Sequence, residues 1–149
     1  MTSQDAIPIL RRGILALLAL GAMGVITELI LLEHYEEPAQ FVPLALLALT
    51  LATILWHWID GGRRSLRAFQ VVMLLMVVAG TIGIGLHLRE NVATELDLNP
   101  GSSGLAFWLE VVRGDLPTLA PGTLVQFGLL GLLYAYRHPA LNGRNGAAR

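Results

Sequence analysis

Cysteine is absent from the 149 residues. That excludes disulfides, thiolate nucleophiles and sulfur-ligated zinc or iron–sulfur centres. Lysine is absent as well, and all ten basic residues are arginine. Uniform arginine reflects GC-rich coding, which points to a bacterial source. Charged residues are scarce at 14%, and the formal net charge is −1. No basic run is present to track a phosphate backbone, so nucleic acid is not an expected partner. A nucleophile elbow, a phosphate loop and paired catalytic acids are all missing, which argues against an enzyme of soluble type. There is no internal repeat and no low-complexity segment.

What the chain has in abundance is apolar residues: 54% of the total, with a mean hydropathy of +0.62. A soluble domain of this size lacks the polar surface to cover so much apolar material, whereas lipid solvates it directly. A crossing needs about 20 predominantly apolar residues. Four stretches qualify: residues 13–32, 41–59, 68–88 and 116–136. Each must be helical, because an isolated strand would leave backbone groups unpaired in lipid. The expected fold is therefore an all-α, integral membrane four-helix bundle forming one domain. Residues 89–115 make its one long outer loop.

The helix breakers suit this reading. Pro38 lies between the first two spans, Asp60-Gly61-Gly62 closes the second, and Pro139 stops the fourth. Pro43, Pro117 and Pro121 fall in expected first turns, where a missing N–H matters least. Arg11-Arg12 ahead of an apolar run resembles a signal peptide, but the run continues to Leu32, so an uncleaved span is expected. Within the long loop, Gly104 to Arg113 places Leu105, Trp108, Leu109 and Val112 on one helical face. It predicts a short helix, lying in the membrane interface or capping the bundle with that face.

Arginine placement sets the orientation. Arg11, Arg12, Arg63, Arg64, Arg67, Arg137, Arg144 and Arg149 fall on one side, eight against Arg89 and Arg113 on the other. The eight-arginine side is expected to be cytoplasmic, with both termini, in a bacterial inner membrane. The opposite side carries Glu33, Glu36, Glu37, Glu90, Glu95, Asp97, Glu110 and Asp115.

Few polar residues interrupt the spans. Glu28 lies inside the first, where a charged, lipid-facing carboxyl costs several kcal/mol, on the order of 3 by insertion scales. It is expected to face the bundle interior, a water path or a partner subunit. Gln126 in the fourth span reads as lying at a similar depth, which suggests a Glu28–Gln126 hydrogen bond. Topology brings His34 and His87 to the outer side, among Glu33, Glu36 and Glu90. Imidazole with carboxylate suits a divalent transition metal, and an acidic solvated rim is the plainer alternative. Gly80 and Gly83, with His87 on the same face, predict close helix packing. His57, between Trp56 and Trp58, reads as an interfacial anchor. His57 and His138 share the inner side, but a bis-histidine haem needs ligands on facing helices inside the bundle. A haem or quinone redox role accordingly fits less well than two others. The first is cation or proton handling, by transport or sensing, through the outer His/Glu site and Glu28. The second is a non-catalytic accessory subunit of a larger membrane complex. The lipid bilayer, a second copy or a complex partner are the expected associates.

Overall fold

The computed structural model describes residues 3–141, and all regular structure in that range is helical. Five α-helices follow one another: α1 (Ser3–Leu31), α2 (Phe41–Asp60), α3 (Arg63–Leu98), α4 (Gly104–Arg113) and α5 (Gly122–Ala135). One-turn 3-10 helices stand at Pro38–Gln40 and Pro139–Leu141. Helices α1, α2 and α3 are each long and apolar enough to cross a membrane. Arg144 and Arg149 lie outside the described residues.

Four helices close a ring. Helix α1 packs on α2, α2 on α3, α3 on α5, and α5 back on α1. Leu18, Leu47, Leu66, Phe69, Met73 and Met76 fill the centre and are essentially inaccessible. The large apolar side chains left exposed outnumber those in this core. That inversion is what a lipid solvent permits and water does not. No charged residue is buried, and no buried side-chain polar atom lacks a partner among the described residues. Thr50 and Thr53, for example, return their hydroxyls to the carbonyls of Leu46 and Leu49, one turn back at 2.8 Å.

Two expected boundaries move. Helix α3 does not stop at Leu88 but runs on to Leu98, taking the first ten residues of the expected outer loop. Its 36 residues rise about 54 Å, against a hydrocarbon core of about 30 Å. It is therefore longer than a single crossing requires. The fourth apolar stretch, expected as a helix over 116–136, contains only the 14 residues of α5, about 21 Å long. Prolines explain the loss. Pro117 and Pro121 cannot donate to an α-helical ladder, so the segment between them closes in tight turns, with Ala120 N–H reaching Pro117 O at 3.0 Å. At the far end Tyr136 is extended and Arg137 has φ 49°, so the helix is finished before Pro139.

Helix α5 nevertheless covers much of α3 because glycine removes the side chains between them. A Cβ on Gly80 would lie 2.7 Å from the Pro121 carbonyl oxygen. One on Gly128 would lie 2.6 Å from the Met73 carbonyl oxygen, and one on Gly131 would collide with the Met73 side chain. Backbone meets backbone here, the arrangement small residues allow between membrane helices. Gly85 on the same helix has open space around it. The predicted helix at Gly104–Arg113 is present as α4, and it packs on α3 with Val111 fully buried. The stripe of Leu105, Trp108, Leu109 and Val112 points away from the bundle. It is thus available to a membrane interface and does not cap the helices.

Gly128→Leu is expected to push α5 off α3 and destabilise the fold by about 1–3 kcal/mol, the usual range for overpacking. Gly85→Leu should leave stability unchanged. Thermal unfolding of the two variants in mild detergent checks this, and equal melting temperatures would refute the contact.

Candidate functional site

The acidic end is built by helix ends. Helix α1 closes with Glu33 in the left-handed region at φ 52°, where glycine is usual. The His34 N–H reaches Leu29 O at 2.9 Å and the Glu33 N–H reaches Ile30 O at 3.1 Å. The backbones of both residues thus complete the last turn. Gln40 accepts the Glu36 and Glu37 N–H groups on its side-chain oxygen, at 2.8 and 3.2 Å, and so shapes the short link to α2. The carboxyl-bearing residues Glu33, Glu36 and Glu90 are exposed.

His87 and Asn91 share a face of α3, as expected, and that face holds the chain segment before α5. Pro117 O can only accept, so His87 Nδ1 donates to it at 3.1 Å. Asn91, buried, donates to Leu116 O at 2.8 Å and Thr118 Oγ1 at 2.9 Å, and accepts the Leu116 N–H at 3.1 Å. The pair clasps the turns that enter α5. The expected gathering of His34, His87, Glu33, Glu36 and Glu90 is not made. Among the described residues no three His, Asp or Glu side chains form a metal-binding group.

The Glu28–Gln126 pairing also fails. Both residues are exposed on the outside of the ring, and no hydrogen bond joins them. The assumed depth was wrong. Gly21 of α1 meets the Phe127 ring of α5, so Gln126 is level with Gly21, about two turns, or roughly 10 Å, short of Glu28. The shortening of α5 by its prolines displaces the register. Glu28 therefore lies on the outward stripe of α1 with Leu17, Leu20, Thr27 and Leu31, not in the bundle interior.

At the opposite, arginine-rich end the structure gathers side chains that the sequence reading had left apart. His57 is not an interfacial anchor: it is buried, while Trp56 and Trp58 on either side of it are exposed. Its ring centroid lies 5.3 Å from that of His138 and 5.9 Å from that of Tyr134, both edge-on. That spacing and those orientations leave no flat gap between the two imidazoles for a porphyrin. His57 Nδ1 lies 3.0 Å from Ser65 Oγ, and Ser65 Oγ lies 2.8 Å from Asp60 Oδ2. The serine has one proton, and the carboxylate is the stronger acceptor. Ser65 therefore donates to Asp60 and accepts from His57 Nδ1–H, which leaves the lone pair on His57 Nε2. His138 is fixed the other way: its Nδ1 accepts the Ala140 N–H at 3.2 Å, so its proton sits on Nε2. Arg11 Nη2 donates to the carbonyl oxygens of Tyr136 and Arg137 at 3.1 and 3.2 Å, tying the start of α1 to the end of α5. Around these groups opens a cleft of about 550 Å³, lined also by Pro8, Arg12, Leu15, Trp58, Tyr134 and Pro139.

A signal for this site was present. Leu46, Thr50, Thr53 and His57 are spaced by three and four residues, the period of one buried helical stripe. His57 continues the core face of α2.

No family model, curated protein or solved structure matches the chain.

Burial, then the Arg11 charge, then His57 push the His138 imidazole down to about 4. In the unfolded chain the same group titrates near 6.5. Between pH 6.5 and 4 the unfolded state thus takes up a proton that the folded state refuses, and stability falls as pH drops through that window. His138→Asn, which can still accept the Ala140 N–H, should lose part of this acid sensitivity. Melting temperature measured from pH 7.5 to 4 checks it, and superimposable profiles for the two proteins would contradict the assignment.

Proposed function

We propose that the chain is a four-pass membrane protein with both ends cytoplasmic, serving as a non-catalytic subunit of a larger assembly in a bacterial inner membrane. Three long apolar helices make it compatible with membrane insertion. The fourth crossing combines the 14 residues of α5, too few alone, with the turns at 116–121 packed on α3 ahead of it; α5 lies antiparallel to α3 and ends at Arg11, beside the start of α1. A chain whose first and last helices meet at one end crosses an even number of times. Arg11, Arg12, Arg63, Arg64, Arg67 and Arg137 all belong to that end, which the positive-inside rule assigns to the cytoplasm.

The observation that carries the subunit reading is Glu28. Its carboxyl is exposed on an outward, leucine-rich stripe of a membrane-spanning helix. Intramembrane acids face protein or water, not lipid. A partner helix that presents a hydrogen-bond donor to Glu28 satisfies that requirement. Cation or proton handling, the other role for this carboxyl, would then run along the interface between subunits. The bundle centre is filled by Leu18, Leu47, Phe69 and Met73 and offers no polar path.

Because the chain has no cysteine, single introduced cysteines report topology without background. Gly62→Cys should react with an impermeant maleimide only after the membrane is opened, and Ser102→Cys should react in intact cells. The reverse pattern, or two residues labelled from the same side, would sink the four-pass orientation. For Glu28, crosslinking in native membranes should show a species larger than one chain. Glu28→Gln should retain it in part and Glu28→Leu should reduce it to monomer. An assembly that survives Glu28→Leu unchanged would rule out this docking face.

A further inference from the structure

We propose that the cleft at the arginine-rich end binds a phosphate-bearing ligand, holding the phosphate oxygens on Arg11, Arg12, Tyr134 and His138 and one hydrogen-bond donor of the ligand on His57. The volume of about 550 Å³ is in the range of small-ligand clefts. Its polar groups are nearly all donors. Arg11 uses only Nη2 on the Tyr136 and Arg137 carbonyls, which leaves Nη1 and Nε free of protein acceptors among the described residues. Arg12 is exposed and makes no hydrogen bond among those residues. The Tyr134 ring is buried between His57, His138 and Phe69, its hydroxyl has no protein partner among the described residues, and the residue lines the cleft. His138 presents Nε2–H.

Among the described residues no carboxylate lines the cleft. The nearest on the same link, Asp60, is turned to Gly62 N–H and Ser65 Oγ. From these residues an anion meets guanidinium, phenol and imidazole N–H with no opposing charge. The imidazole lone pair at His57 Nε2 favours a ligand that also carries O–H or N–H, such as a monoprotonated phosphate or a headgroup with a hydroxyl. The same proton placement argues against a metal. The two imidazoles offer one lone pair between them, and no third ligand joins them among the described residues. Pro8, Leu15, Trp58 and Pro139 supply apolar walls, which suits a phosphate attached to an apolar body. The chemistry is shared by a phospholipid headgroup and a free phosphate compound.

The test uses the full chain in phosphatidylcholine nanodiscs, with short-chain phosphatidylglycerol and inorganic phosphate as separate probes, read by native mass spectrometry and thermal shift. Saturable binding of either probe is expected. Phosphatidylglycerol without inorganic phosphate assigns the site to a lipid headgroup, and inorganic phosphate binding assigns it to a soluble ligand. Arg11→Gln is not used alone, since Arg11 also ties α1 to α5. Tyr134→Phe and Arg12→Gln change no hydrogen bond among the described residues, and each should weaken binding about tenfold, equivalent to about 1.4 kcal/mol. The double variant Arg63→Gln/Arg64→Gln, at the same end but outside the cleft, should bind as the parent does. Failure of both probes to bind, or equal loss in the Arg63/Arg64 variant, would overturn the proposal. Neither result bears on Glu28, so the subunit reading is tested independently.

Discussion

The backbone contact between α3 and α5 sets the rest of the bundle. Proline at both ends leaves α5 only 14 residues, too few to hold its place by length. Gly80, Gly128 and Gly131 let it approach α3 until the Pro121 and Met73 carbonyls would touch a Cβ. In lipid, helix association draws on packing and hydrogen bonds, since the tails are as apolar as leucine. Closeness of approach is thus the main source of attraction available. From this contact follow the two polar features of the molecule. One end of α5 delivers Leu116–Thr118 to His87 and Asn91, and the other delivers Tyr134 and His138 to His57 and Arg11.

Both features obey one rule. The polar side chains inside the ring return to their own helix, as Thr50 and Thr53 do, with Thr50 also touching Met76 Sδ of α3 at 3.1 Å. Longer hydrogen-bonded chains appear only at the ends, where link segments bring backbone donors and acceptors. At the arginine-rich end the tight link Asp60-Gly61-Gly62 folds back, with Gly61 at φ 59°, so that the Asp60 carboxylate meets both Gly62 N–H and Ser65 Oγ. The link that joins α2 to α3 thereby also fixes the proton on His57 Nδ1.

The helical class and the glycine packing face were legible because each rests on a local pattern: long apolar runs, and Gly80 and Gly83 three residues apart. The short helix at Gly104–Arg113 was legible for the same reason. The length of α3 past Leu88 was not. Residues 89–98 are polar enough to read as loop, yet they contain no breaker until Asn99-Pro100, so the helix simply continues. The site was misplaced because depth was counted from span ends. Once Pro117 and Pro121 shorten α5, Gln126 moves level with Gly21. His138 looked remote at the end of a span, but the left-handed Arg137 turns it back over His57.

The two ends thus differ in kind. At the acidic end, His87 and Asn91 spend their hydrogen bonds on the chain itself, and the surrounding carboxyl groups remain solvated. At the arginine-rich end the fold leaves capacity over. Among the described residues Arg11 keeps two of its nitrogens, Tyr134 its hydroxyl, His138 its Nε2–H and His57 its lone pair, and all four residues line one cleft. No buried side-chain polar atom lacks a partner among the described residues, so these groups meet water in the open cleft until a ligand replaces it. Packing alone would be served as well by phenylalanine in place of Tyr134. Their convergence, with protons already placed by Ser65 and Ala140, is the arrangement of a binding site held ready before its ligand arrives.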